Sequence, residues 1–145
     1  MNTPSSTNPK VADFDILLGI LSTPQSWIKK EFAKTKDGDG IGWGSSSSAV
    51  CWCLLGATEK LCIRPDAHFE QIAAEMEHRE QINKLLTETI RKLFPKRVEE
   101  VHSSLVISHF NDHDETTYED VLLVLKTAKE SCEQTNASTN SPTPA

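Results

Sequence analysis

No run of the chain reaches the roughly 18 to 20 uninterrupted apolar residues that a helix needs to cross a bilayer, so a membrane span is not expected. The opening residues Met1-Asn2-Thr3-Pro4 carry neither the basic start nor the apolar stretch of a secretory signal. Basic charge is in deficit. Against 21 Asp and Glu there are 15 Lys and Arg, giving a net charge of -6, which opposes the counterion-release attraction behind non-specific nucleic-acid binding. Lys29-Lys30 and Arg91-Lys92 with Lys96-Arg97 are the only candidates for a local basic face, and solvated helix faces are the favoured account of them; nucleic acid is a disfavoured partner. Cysteine is limited to four residues, and Cys51 and Cys53 flank Trp52 in an apolar run of the kind that becomes buried. Small secreted scaffolds use disulfides where they lack a core. This chain has the residues for a core, so its thiols are expected to be reduced and the protein cytoplasmic.

What is present fits one domain. A chain of 145 residues can bury a single modest core. Its apolar share of 37% is diluted by Ser, Thr, Asn and Pro crowded at both ends, which cannot bury enough to offset their ordering entropy. Residues 1–10 and 134–145 are therefore expected to be disordered tails around a single helical domain over 11–133.

Phe14, Leu17, Leu18 and Leu21 fall at helical spacing after Asp13, predicting a first helix that Ser22-Thr23-Pro24 stops. Trp27, Ile28 and Phe32 fit either a further helical turn or an extended segment. Lys36-Asp37-Gly38-Asp39-Gly40 is turn chemistry, prolonged by Gly42, Gly44 and Ser45-Ser46-Ser47-Ser48 into a flexible loop. Ser47 or Ser48 then suits the N-cap of a helix over 49–62. After the break at Arg64-Pro65-Asp66, Phe69, Ile72, Ala73, Met76, Ile82, Leu85, Leu86, Ile90, Leu93 and Phe94 make an amphipathic stripe up to Pro95. Residues 77–81 interrupt it, as a bend or as a division into two helices. Residues 98–110 fit a helix or a strand. Helix is favoured because no partner strand is evident, and a lone strand is unstable. In the last helix Thr117 and Asp120 form a capping pair ahead of Val121, Leu122, Leu125 and Ala128. The expected fold is mainly α, a compact bundle of about five helices.

Several residue groups suggest chemistry and fall short of it. Asp37-Gly38-Asp39-Gly40-Ile41-Gly42 starts like a calcium loop, but Ile41 and Ser48 stand where oxygen ligands are required. Gly40, Gly42 and Gly44 before a helix resemble a phosphate cradle that could take an anion at residues 45–48, yet the spacing matches neither nucleotide fingerprint and no Gly-Lys-Ser/Thr follows. Cys51, Cys53 and Cys62 with His102, His109 and His113 supply zinc-type ligands, but two cysteines two residues apart on a helix point away from each other. No metal and no cofactor are expected. His109, Asn111, Asp112, His113 and Asp114 form the densest polar cluster, and with Cys53 they suggest a thiol hydrolase. Against that, Cys53 sits among Trp52, Leu54 and Leu55, away from the exposure a thiolate nucleophile needs. The competing account is structural: Asn111 and Asp112 would satisfy free backbone amides between two helices. Gly56 costs about 1 kcal/mol in a helix relative to Ala, which makes sense if another helix approaches Gly56-Ala57 closely.

Taken in order, Trp27, Ala33, Asp37-Gly38, Trp52-Cys53-Leu54-Leu55-Gly56-Ala57, Phe110-Asn111-Asp112, Thr117 and Val121-Leu122 resemble the pattern of a family of small bacterial and bacteriophage proteins of unknown function. The resemblance covers about residues 14–128. It departs at Phe110, where the family more often has Trp, and in the Ser-rich loop, which is usually shorter on serine. No activity is implied. The resulting expectation is a non-catalytic accessory or regulatory module that engages an unknown protein or itself, with Trp52, Cys53, Gly56, Ala57, Phe110, Asn111, Asp112 and Thr117 as structural motif residues. The alternatives are a ligand binder or hydrolase using Cys53, His109, Asn111 and Asp112, and a nucleic-acid-binding regulator.

Overall fold

A computed structural model describes residues 8–64 and 66–140, with side chains described through Gln134. The tail expectations for residues 1–7 and 141–145, and the part of Pro65 in the expected break, lie outside the described residues. Helix α1 (Val11–Ile20) opens with Asp13 Oδ2 accepting from the Lys10 amide at 2.8 Å. A 3-10 turn at Pro24–Ser26 follows, and then an extended stretch in which the Ile28 amide donates to Trp52 O at 3.0 Å. Both readings of this segment thus hold in succession.

Strands β1 (Ala33–Thr35), β2 (Gly40–Ile41) and β3 (Ala49–Trp52) form a three-stranded antiparallel sheet with β1 in the middle. The expected turn is the β1–β2 connection: Gly38 takes φ 89°, and Thr35 Oγ1 accepts from the amides of Asp37 and Asp39 at 3.3 and 3.2 Å.

The sheet corrects the helix expected over 49–62. Its first four residues are β3, and helix α2 (Leu54–Cys62) starts only after Cys53. Neither Ser47 nor Ser48 caps it; the Cys53 Sγ accepts from the Gly56 amide at 3.3 Å in their place. Ala33 pairs with Trp52 and Lys34 with Cys51, so β1 offers backbone partners to a run rich in residues that suit a pleated surface. The fold is mainly helical, with five α-helices among the described residues, but the strands make it something other than a pure bundle.

Helix α3 (Phe69–Leu93) is continuous through residues 77–81. Its second half behaves as the pattern predicts, with Ile82, Leu86 and Ile90 fully buried. Its first half does not: Phe69 is 86% exposed and Met76 58%. The side turned toward the protein there is polar. Glu75 pairs with Arg64 at 2.9 Å, His78 with Asp13 at 3.1 Å, and Arg79 donates to Leu55 O at 2.8 Å. Those partners, Asp13 in α1, Leu55 in α2 and Arg64 just after α2, hold the helix and leave Phe69, Ala73 and Met76 outside, with Ile72 half-buried.

The 98–110 segment resolves on the helical side, through 3-10 turns at Pro95–Val98 and Ser103–Leu105 into α4 (Val106–Asp112). Helix α5 (Tyr118–Asn140) begins with the expected capping pair: Thr117 Oγ1 accepts from the Asp120 amide at 3.2 Å and Asp120 Oδ2 from the Thr117 amide at 3.0 Å. Burial alone would raise the Asp120 pKa, but hydrogen bonds from Arg97 and Thr117 outweigh it and hold the carboxyl below its ordinary value. On the core face Val124 is buried beside Val121, Leu125 and Ala128, while Leu122 is half-buried. The helix runs to Asn140, past the expected start of the tail at Gln134. It lies antiparallel to α1, since Lys129 pairs with Asp15 at 2.7 Å while Tyr118 donates to Leu21 O at 2.5 Å.

Candidate functional site

The Asn-Asp pair sits at the last turn of α4 and ties together parts of the chain far apart in sequence. Asn111 is 1% exposed. Its Oδ1 accepts from Trp27 Nε1 at 2.6 Å and from the Leu54 amide at 3.0 Å; its Nδ2 donates to Ile28 O and to Asp112 Oδ1, both at 3.0 Å. Both lone pairs and both amide hydrogens are consumed. The Leu54 amide is one of the free donors that every helix N-terminus leaves unpaired, so Asn111 and Cys53 share the capping of α2. Asp112 Oδ1 also accepts from the Lys30 amide at 2.7 Å, and Lys30 is held at φ 72°, a region that L-residues rarely adopt.

Gly56 faces this junction. A Cβ on it would collide with Phe32 O, and a Cβ on Gly44 would collide with Gly56 O. The close neighbour is therefore the backbone leading into β1 and the loop before β3, and not the second helix that the sequence suggests. The Cys53 amide donates to the same Phe32 O at 3.1 Å, and Trp52 Nε1 donates to Gly44 O at 3.0 Å. Ala57 and Phe110 are fully buried in the core, Phe110 with its ring centroid 5.2 Å from that of Phe94. Thr117 stands apart, at the head of α5.

Of the residues suggested for catalysis, Cys53, Asn111 and Asp112 come together around a small pocket of about 110 Å³ that also meets Lys30, Phe32 and Ser108. His109 does not line it. It lines an adjoining, open cleft of about 480 Å³ with Leu105, His113 and Asp114, which shares Ser108 and Asp112 with the small pocket. The rings of His109 and His113 are 6.3 Å apart at their centroids, and His113 Nδ1 accepts from the Glu115 amide at 3.1 Å. Burial pushes the Cys53 thiol up from its ordinary pKa, outweighing the hydrogen bonds from Gly56 and Leu55 that pull it down. A neutral thiol is a poor nucleophile, and Asn111 has no bonding capacity left to orient an imidazole.

The other groups are scattered. Cys51 lies in β3 and Cys53 before α2, so the helical geometry invoked against zinc does not apply; among the described residues no group of three or more His, Cys, Asp and Glu side chains is placed to hold a metal ion. Asp37 and Asp39 are exposed in the hairpin. The glycine-serine loop leads into β3 and not directly into a helix; Ser45 is buried and donates to Glu59 at 3.2 Å.

All four cysteines are free and buried. Burial pushes the Cys62 thiol up from 9.0 to about 12. A thiol whose folded pKa is raised supports folding fully below the unfolded value and withdraws that support as pH climbs through the folded one. Stability should accordingly decline between pH 9.0 and about 12. Urea midpoints at pH 8 and pH 10.5, on wild type and on Cys62→Ala, measure this. The decline should be shallower in the variant, and parallel slopes would assign the loss to other groups.

A model of a family of unknown function (DUF6197) matches residues 13–131, from within α1 to within α5, and the chain belongs to that family. No curated protein and no solved structure matches it. The sequence groups Cys53 with Asn111 as candidates for one site but leaves Trp27 unconnected to them. Nothing local marks Trp27 as the partner of a residue 84 positions away, or Lys30 as a position of positive φ.

Proposed function

We propose that the chain is a non-catalytic interaction module acting in the cytoplasm of a bacterium or phage-infected cell, with residues 11–133 as its single domain. The observation that carries this reading is the state of Asn111: the polar residue at the centre of the candidate site has every bonding group spent on holding α2, α4 and the Trp27–Ile28 stretch together. Three of the six cations considered for nucleic acid are similarly engaged, with Lys29 donating to His113 O, Arg91 to Val101 O and Arg97 to Asp120. Buried, unpaired cysteines suit a reducing compartment, and among the described residues no helix is long and apolar enough to cross a membrane.

A ligand-binding or hydrolytic role stands second, on the open cleft that gathers His109, Asp112, His113 and Asp114. Photo-crosslinking residues introduced separately at Ala73 and His109 of the full chain, in the producing cell, test the two. A discrete protein adduct at Ala73 supports the module. Turnover of ester, amide or thioester reporters by the purified protein, abolished in His109→Ala and Asp112→Asn, would overturn it.

A further inference from the structure

Phe69 and Met76 follow the spacing of core residues and are 86% and 58% exposed. Large apolar side chains gathered on one exposed face mark a contact surface more often than a defect. We propose that the outer face of α3 docks a basic amphipathic helix of a partner protein, an inference that rests on the interaction-module reading and names its surface.

Positions 69, 73, 76, 80, 83 and 87 lie along one side of an α-helix, at repeats of three and four. Over about 27 Å of helix they change character from one end to the other. Phe69, Ala73 and Met76 are exposed and apolar. Further along, Asn83 and Thr87 line a groove of about 640 Å³ between α3 and the Ser103–Leu105 turn. There Asn83 Oδ1 is buried without a hydrogen-bond partner. Such an acceptor is costly when left unmade, and a donor from a docked chain would satisfy it.

Charge selects the occupant. The exposed charged residues from Phe69 to Arg91 are Glu70, Glu77, Glu80 and Glu88 against Lys84 and Arg91, and Arg91, which lines the groove, already donates to Val98 O and Val101 O. A second copy laid on this face would oppose glutamates to glutamates in a chain of net charge -6. A helix with an apolar stripe flanked by Lys or Arg meets both the stripe and the carboxylates, by the groove-and-ridge packing through which helices recognise one another.

The probe is a synthetic 18-residue peptide of Leu, Ala and Lys with the leucines on one helical face. Its controls are a scramble of the same composition and a version with Glu for Lys. Titrated into ¹⁵N-labelled full chain, the basic amphipathic peptide should shift amides confined to residues 69–88, and both controls should bind at least about tenfold more weakly. The double variant Phe69→Ser/Met76→Ser removes exposed side chains that lie outside the hydrophobic core, so its circular-dichroism melt should stay close to wild type while peptide affinity falls about tenfold or more. Equal binding of the scramble, unchanged affinity of the double variant, or a dimer in sedimentation that the double variant dissolves would each overturn the proposal. Shifts centred on His109 and His113 would overturn this surface while leaving the module reading in place; reporter turnover removes the module reading itself.

Discussion

Asn111→Ala should cost the protein about 3 kcal/mol, seen as a urea midpoint well below wild type and a melting temperature lower by about 10 °C. The alanine strands three groups at once: Trp27 Nε1, the Leu54 amide and Ile28 O all lose the partner that bonds them now. Leaving a buried polar group unmade costs about 1 to 3 kcal/mol each, reduced where water can follow, and Trp27 is only half-buried. Asn111→Asp gives an intermediate loss. It keeps the acceptor for Trp27 and Leu54, but it loses the donor to Ile28 O and sets a second carboxylate beside Asp112. Asp112→Ala should be milder, about 1 kcal/mol, since it releases the exposed Lys30 amide. An Asn111→Ala protein as stable as wild type would mean that the network is not structural, and the cleft lined by His109 and His113 would then become the better candidate for what the family does.

The sequence made some of this legible and concealed the rest for identifiable reasons. Helices α1 and α5 and the second half of α3 announce themselves because their apolar residues recur at helical spacing and their inner faces meet other helices. The Thr117–Asp120 cap and the Gly38 turn are equally plain, since each is closed by residues two to four positions apart. Strand β3 was hidden. Residues 49–55 are an apolar run too short for periodicity to tell strand from helix, and the deciding partner, β1, is itself a three-residue strand with no alternation to reveal it. The Phe69–Met76 stripe shows a different limit. Periodicity identifies which residues share a face; it does not say whether anything covers that face. Here Glu75, His78 and Arg79 took the inward side through Arg64, Asp13 and Leu55 O. For the site, Asn111 was recognisable as the kind of residue that satisfies free backbone amides, and the amide turned out to be that of Leu54, more than fifty residues upstream.

Gly56→Ala is where local preference and tertiary structure make opposite forecasts. In a helix interior alanine is favoured over glycine by about 1 kcal/mol, so by propensity alone the substitution should stabilise α2. But the added Cβ would run into Phe32 O, with the Phe32 carbonyl carbon at 3.0 Å. No rotamer change relieves the collision, because the obstacle is backbone, and that oxygen already accepts from the Cys53 amide at 3.1 Å. To admit the methyl group, α2 must move off the chain leading into β1, loosening the cap at Cys53 and the bond from Leu54 to Asn111. Overpacking of this kind costs about 1 to 3 kcal/mol and more where the neighbour cannot yield, so the net effect should be a loss of about 2 kcal/mol, with Gly56→Leu worse. Gly19 in α1 supplies the internal control: nothing lies within 4 Å of its would-be Cβ, and Gly19→Ala should stabilise by about 0.5 to 1 kcal/mol. Gly44→Ala, which presses on the Gly56 carbonyl from the other side, should destabilise in turn, and because both changes move α2 the double variant should depart from additivity. Denaturation curves for wild type and these five variants separate the forecasts. If Gly56→Ala proves as stabilising as Gly19→Ala, α2 does not lie against the Phe32 backbone, and the junction built around Asn111 would have to be redrawn.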